Sequence, residues 1–270
     1  MTPSDSTLAS KQFDKHAIAE SFSRAAVSYD SVAELQRQVG LDLLHRLPDE
    51  TVPVVVDLGC GTGYFGPLLQ RRLTPDHLIS IDLAQGMLQY ARQHRAMTNA
   101  SWLCGDAESL PLADNSVDLI FSSLAIQWCE NLPALCSEVA RVLRPGGRFL
   151  FSTLGPGTLS ELRTAWSSVD RYQHVNRFIS FATLTGHAQE YFSTVNIIEQ
   201  PRVLLYNELR ELTNELKGIG AHNISAGRQG GLTGKARVKA FKQAYEQFRR
   251  SLDNKLPATY QVFYGELING

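Results

Sequence analysis

Six residues in the first half of the chain are suited to holding a polar ligand. Asp57, Gly59, Gly61 and Gly63 sit together in VVVDLGCGTGYF, residues 54–65, while Asp82 closes the run LISID and Asp106 follows SWLC in GDAESLP. Glycines in a turn let a ligand approach the backbone with no side chain in the way. Where a strand runs into such a turn and then a helix, backbone N–H groups and a helix N-terminus gather at the carboxyl edge of the sheet. Asp82 lies 25 residues beyond Asp57, where a carboxylate can take both hydroxyls of a ribose. Asp106 is placed to accept from an adenine amino group. The chemistry is therefore nucleoside binding at strand ends. The spacing D-x-G-x-G-x-G departs from the dinucleotide pattern GxGxxG by one residue, and no GxxxxGK[ST] phosphate loop is present. Taken singly, the glycines read as a tight turn and each acid as a helix N-cap. Three acids at successive strand ends are not explained that way.

These residues need a scaffold, and the apolar pattern supplies one. From Val54 onward, the β-rich runs VVVDL, LISID, SWLC, VDLIFSS and GRFLFST alternate with amphipathic segments at Gly66–Arg72, Gln85–His94 and Pro133–Leu143. Such alternation implies βαβ units, right-handed crossovers and a doubly wound, mostly parallel sheet covered by helices on both faces: an α/β fold. Before it, residues 13–50 read as two helices, Lys15 to about Val27 and Ser31 to Leu47, with Val32, Leu35, Val39 and Leu43 at helical spacing. Residues 1–12 are polar and expected to be disordered. The core is expected over 51–206, with TVNIIEQ and RVLLYN as a last pair of strands, a helical cap over 207–255 and a C-terminal strand or tail over 256–270. The chain has 270 residues, 43% hydrophobic and 20% charged, enough for one elaborated domain or two small ones. No run approaches the ~20 apolar residues of a membrane span, and MTPSDSTLASKQ has no leader character, so the cytoplasm is the expected location. Cys60, Cys104, Cys129 and Cys136 lack CxxC spacing and read as reduced thiols, and no metal is assigned.

The combination DLGCGTG, Asp82 and GDAESLP, continued by VDLIFSSLAIQW and EVARVLRPGGRFLFS, resembles the class I S-adenosylmethionine-dependent methyltransferases. The resemblance implies a seven-stranded Rossmann-like sheet with N-terminal helices and a C-terminal helical cap. It also implies that the loop of Asp57, Gly59, Cys60, Gly61 and Gly63 abuts the methionine part of the cofactor. Asp82, beside Leu83 and Met87, would hold the ribose and Asp106 with Ala107 the adenine; Ser122 completes the expected cofactor set. Further stretches resemble the malonyl-acyl-carrier-protein O-methyltransferases of biotin synthesis, the BioC family: AESFSRAAVSYD, AELQRQVG, SLAIQWC, HVNRFIS, LKGIGAHN and LPATYQVFYGEL. This implies methylation of the free malonyl carboxylate, giving a neutral ester that fatty-acid enzymes can elongate.

Residues after the fourth strand face the acceptor in such enzymes; here Gln127 and Trp128 are expected to wall its pocket. Arg177 and Arg228 are the cationic candidates for orienting the acceptor carboxylate. His174, His222 and Tyr260 are the hydrogen-bonding ones, and Tyr29 and Arg37 are candidates for the methionine carboxylate. Base N-methylation and cytosine C5 chemistry are disfavoured, because neither an [ND]PP[YFW] motif nor a Pro-Cys nucleophile is present. Between Lys217 and Lys255, nine basic residues face two acidic ones in a chain of net charge -1. Lys217, Lys235, Lys239, Lys242 and Arg249 are the expected contacts for an acidic carrier protein, beside an apolar stripe of Val238, Phe241, Tyr245, Phe248 and Leu252. A solvated helix face or an RNA contact would use the same charges, although nucleic acid and membrane are not the expected partners and the oligomeric state is left open. Two other readings stay open: methyl transfer to a free quinone precursor or coenzyme A thioester, and a non-catalytic cofactor-binding regulator.

Overall fold

The structure, a computed structural model, describes residues 14–220 and 234–270. The expected disorder of residues 1–12 and the candidates His222 and Arg228 lie outside the described residues. Helices α1 (Lys15–Val32) and α2 (Glu34–Leu44) lead into β1 (Val54–Leu58), α3 (Gly66–Leu73), β2 (His77–Asp82), α4 (Gln85–His94), β3 (Ala100–Cys104) and β4 (Val117–Ser123). A 3-10 turn at Ile126–Trp128 precedes α5 (Leu132–Val142), β5 (Leu143–Leu154), α6 (Ser160–Ser167) and α7 (Phe181–Tyr191). The chain ends with β6 (Thr194–Tyr206), α8 (Leu209–Gly218), α9 (Lys235–Glu246) and β7 (Leu256–Ile268).

The seven strands lie in the order β3-β2-β1-β4-β5-β7-β6. β1 to β5 are mutually parallel, and β7 inserts antiparallel between β5 and β6. The doubly wound expectation holds because both faces of the central strands are apolar: Val55, Val56, Ile120 and Phe121 are fully buried. Val39 and Leu43 of α2 and Leu69 and Leu73 of α3 cover one face. Val139 and Val142 of α5 and Leu184 of α7 cover the other. The strand order reverses between β1 and β4, the place where such sheets open a crevice for ligands.

Several expectations are corrected. α1 continues to Val32, past the expected stop near Val27, and only Ala33 separates it from α2. TVNIIEQ and RVLLYN form the single strand β6 rather than a pair. Pro201 is tolerated inside it because β6 is an edge strand, so the missing N–H has no ladder partner to lose. α9 ends at Glu246, which strands Leu252 at 84% exposure, off the stripe that buries Phe241 and Tyr245. Helices α6 and α7 have no counterpart in the sequence reading. No described helix is long and apolar enough to cross a membrane.

Candidate functional site

Gly59, Gly61 and Gly63 adopt φ of +71°, +54° and +70°, the left-handed region open to glycine at little cost. Their surroundings differ. A Cβ on Gly59 would lie 2.2 Å from that of Ala125, and one on Gly63 would meet Ala91 and Trp102 at 3.0 Å, whereas one on Gly61 meets nothing within 4 Å. Only Gly61 therefore opens onto empty cleft. The loop amides are partly engaged: those of Gly59 and Cys60 donate to the Ile81 carbonyl at 2.7 and 3.0 Å. Gly61 N–H donates to Asp82 Oδ2 at 2.8 Å and Ala84 N–H to Asp82 Oδ1 at 2.7 Å. Asp82 is thus locked to both loops that flank the cleft. Desolvation outweighs those two donors and holds its carboxyl above the ordinary range.

Asp57 is 2% exposed, and its Oδ2 has no hydrogen-bond partner. Burial, followed by the charge of Asp82, pushes its carboxyl up to about 7. A buried, orphaned carboxylate oxygen costs free energy unless something donates to it. Its recess is lined by Tyr29, Arg37, Cys60 and Thr62, which places both residues expected at the methionine end beside it. Arg37 is partly engaged, donating to the Asp30 carbonyl and pairing with Glu34 at 2.8 Å. At the other end of the cleft, Asp82, Leu83, Met87, Asp106 and Ala107 line one wall. Ser122 departs from the expected set: it is fully buried and donates to the Leu58 carbonyl at 2.8 Å, and Ser123 lines the cleft instead.

The sequence reading missed the residues by which α1 closes the cleft. Lys15 Nζ sits 2.6 Å from Asp106 and 2.8 Å from Glu108. Thr62 Oγ1 donates to Asp30 Oδ1 at 2.6 Å, and Arg95 bridges Asp30 and the Thr62 carbonyl. Ser23 Oγ accepts from Gly86 N–H at 3.1 Å.

A second cavity, about 290 Å³ against about 120 Å³, adjoins the cleft. The two share Phe22, Tyr29, Leu124 and Trp128 as a partition. Phe22 meets Trp128 edge to face at 5.3 Å, a favoured aromatic geometry. Leu124 holds φ +48°, uncommon for a residue with a side chain, at the turn that brings Gln127 and Trp128 round to the cavity. Deeper in, Trp166 of α6 is stacked between His174 at 3.8 Å and Phe241 of α9 at 4.1 Å. His174 is fixed by Asp170 at 2.8 Å. The carbonyl oxygens of Gln36 and Gln127 are buried without partners, although Gln127 Nε2 donates to Leu124 O at 2.7 Å. Tyr260, His174, Gln127, Trp128 and Lys217 all line this chamber, as do Gln36 and Glu215, which sequence reasoning missed. Arg177 does not. Val175, Asn176 and Phe178 line it while the intervening Arg177 is exposed, so its expected role in orienting the acceptor is corrected.

A methyltransferase-domain family matches residues 56–151. The chain is 44% identical over 253 residues to the malonyl-[acyl-carrier protein] O-methyltransferase of Yersinia pestis, covering 93% of this chain and 91% of that protein. It is 41% identical over 259 residues to the enzyme of the same name from Serratia marcescens, covering 96% and 98%. The chain belongs to the malonyl-acyl-carrier-protein O-methyltransferase family. The biotin biosynthesis bifunctional protein BioHC of Cellvibrio japonicus is 50% identical over 253 residues, 93% of this chain but 49% of that protein. The BioHC of Saccharophagus degradans is likewise spanned over 47% of its length, so the chain covers about half of these two relatives. Among solved structures, Bacillus subtilis YcgJ superposes with TM-score 0.62 at 19% identity, covering 86% of this chain and 98% of that one. A Haemonchus contortus phosphoethanolamine N-methyltransferase, solved with S-adenosylhomocysteine, gives TM-score 0.53 at 20% identity over 85% of this chain and 52% of that one. At those identities, the two structures speak to the fold.

Proposed function

We propose that the protein is an S-adenosylmethionine-dependent carboxyl O-methyltransferase acting on malonyl-acyl-carrier protein, releasing the malonyl methyl ester that starts pimeloyl synthesis for biotin. The observation that carries this reading is the pair of cavities meeting at Phe22, Tyr29, Leu124 and Trp128, one lined by carboxylates and the other by aromatic and amide groups. The cleft residues fit the cofactor: the orphaned Asp57 oxygen suits a cationic group, Asp82 suits the ribose, and Asp106 with Ala107 suits the adenine. Bound there, S-adenosylmethionine supplies a methyl group made electrophilic by its sulfonium. The protein's share is alignment and exclusion of water. A malonyl carboxylate is already ionised near neutrality, so no general base is needed. Accordingly, Gln36, Gln127, Tyr260 and His174 are hydrogen-bonding groups that aim the acceptor, while Trp166, Phe178 and Phe241 keep the chamber dry.

Docking follows from the same helix that roofs the chamber. Lys235, Lys239 and Lys242 are exposed on α9, whose Phe241 packs on Trp166. An acidic carrier held by those lysines would have its thioester arm beside the chamber, and complementary charge would speed the encounter. Arg249, also expected to dock, is instead spent on Glu246 at 2.6 Å and on the carbonyls of Asn254 and Asn207. Mass spectrometry of malonyl-acyl-carrier protein after incubation with S-adenosylmethionine tests the reading. A methyl-sized gain on the malonyl group is expected. No gain, or a gain on malonyl-coenzyme A alone, overturns it.

A further inference from the structure

With Arg177 exposed, the acceptor chamber lacks the guanidinium expected to meet a carboxylate. Among the described residues that line it, His174 and Lys217 are the two side chains able to carry positive charge. They are held very differently. Lys217 is exposed at the end of α8, and no described side chain pairs with its ammonium. His174 is fixed twice over. Its ring lies on Trp166 of α6, the centroids 3.8 Å apart and the planes 9° apart, and Phe241 of α9 stacks on the same indole at 4.1 Å. Its Nε2–H donates to Asp170 Oδ1 at 2.8 Å. Desolvation pushes the Asp170 carboxyl up, but the His174 bond and the Tyr172 amide at 3.0 Å outweigh it and hold the group below its ordinary range. Asp170 is therefore an anion that only accepts. The other ring nitrogen of His174, Nδ1, has no hydrogen-bond partner among the described residues.

With its Nε2 proton committed to Asp170, the imidazole offers from Nδ1 either a lone pair or a second N–H. A carboxylate accepts and never donates, so only the imidazolium serves Asp170 and the acceptor at once. A positive ring over an indole face is also favoured. Resting on the carboxyl-transfer reading above, we propose that the His174 imidazolium is the cation that holds the acceptor carboxylate, and that Asp170, which does not line the chamber, is the positioning residue that sets the ring. Transfer then undoes the hold. The ester has lost the charge and keeps only weaker, neutral acceptors, so the product is the form released.

The ring forms no covalent bond and keeps both protons through transfer. The other charged groups about it are Glu215 of α8, tied to the Tyr206 hydroxyl at 2.9 Å, Lys217 of the same helix, and Arg237 of α9, whose charge acts on Asp170. Tyr260 of β7 adds a phenol to the chamber.

Equilibrium titration of the S-adenosylhomocysteine complex with malonyl-acyl-carrier protein and, separately, with its methyl ester tests the assignment. The carrier is common to both ligands, so docking cancels in the ratio of the two Kd values and the carboxylate charge remains. The wild type should bind the acid about tenfold tighter than the ester, or more, the size of one hydrogen bond to a charged group. His174→Phe keeps a ring on Trp166 but has no N–H, so the ratio should fall to within about twofold, through weaker binding of the acid alone. Asp170→Asn removes the charge behind the ring and should leave an intermediate ratio of about threefold. Lys217→Met should move both Kd values together if it moves either. A wild type without preference overturns the proposal. So does His174→Phe weakening both ligands equally, the mark of a packing role, or Lys217→Met abolishing the preference. Absence of methyl transfer when S-adenosylmethionine replaces S-adenosylhomocysteine defeats the carboxyl-transfer reading instead, whatever the ratio. Unchanged Tm and cofactor affinity identify folded variants; should His174→Phe not fold, Asp170→Asn and His174→Gln, whose neutral amide should also leave an intermediate ratio, decide.

Discussion

The cofactor cleft and the acceptor chamber share a wall yet are built on opposite plans. The cleft is assembled from strand ends, Asp57, Asp82 and Asp106, that succeed one another along the chain, and apart from the orphaned Asp57 Oδ2 its carboxylates are pinned: Asp82 fixes the amides of Gly61 and Ala84, and Lys15 holds Asp106. The chamber draws on α1, α2, α6, α8, α9 and β7, and its amides at Gln36 and Gln127 are left with unpartnered oxygens. A rigid site with a single carboxylate oxygen left open suits one invariant ligand. A chamber with free hydrogen-bonding capacity suits a flexible arm that brings its own groups.

The sharpest way to break this contrast is at Asp82. Asp82→Asn replaces one acceptor oxygen with an amide that cannot take either backbone N–H, so one of Gly61 or Ala84 loses its partner, and a ribose bound as proposed would lose a carboxylate. Two charge-assisted bonds of this kind are together worth roughly 3 kcal/mol or more. Titration with S-adenosylhomocysteine should therefore show affinity falling on the order of 100-fold. Gln127→Leu, made in the chamber, should leave that affinity unchanged while raising KM for the acceptor. Equal losses in both variants would mean that the two cavities are a single site.

Asp57 gives an effect of intermediate size, with a pH signature. Its folded value of about 7 lies above the ordinary 3.8, so between those values the folded protein keeps a proton that the unfolded chain has lost. Stability present below about pH 4 is therefore lost as pH rises toward about 7, by on the order of 4 kcal/mol, and is flat above. Asp57→Asn should flatten the dependence of Tm on pH across this window. Cofactor binding should respond in the opposite sense, tightening as pH rises through about 7, because the ionised carboxylate is what a cationic group needs. In Asp57→Asn that tightening should vanish; its persistence would place the cationic end of the cofactor elsewhere.

The same contrast explains what could be read from the sequence. The glycine loop and the three acids are each local to one strand end, so spacing alone located them, and the apolar runs of β1 to β5 dictated the parallel sheet. Ser122 was misplaced because β4 is buried on both faces. A strand without polar alternation carries no parity by which to tell Ser122 from Ser123. Arg177 failed for a related reason: in an irregular segment, nothing sets which of Val175, Asn176 and Arg177 turns inward. The chamber depends on side chains brought together across the whole chain, such as Trp166 between His174 and Phe241, and no period in the sequence links them. Lys15 and Asp106 are likewise 91 residues apart.

That last pair yields the smallest and most discriminating effect. Lys15 and Asp106 are about a third exposed, and ion pairs with that much solvent access contribute little, so Lys15→Met should change equilibrium cofactor affinity by no more than about threefold. The rate should be more sensitive. α1 walls both cavities, and besides Lys15 it is tied to the cleft through Asp30, Thr62 and Arg95 and through Ser23 and Gly86. If Lys15 holds the N-terminal end of α1 shut over the adenine side, its loss should speed S-adenosylhomocysteine dissociation several-fold in stopped-flow displacement, with association accelerated to match. An unchanged dissociation rate would mean that the Asp30 clamp alone fixes the helix. α1 would then belong structurally to the glycine loop and the cleft rather than serving as a hinged wall between the two cavities.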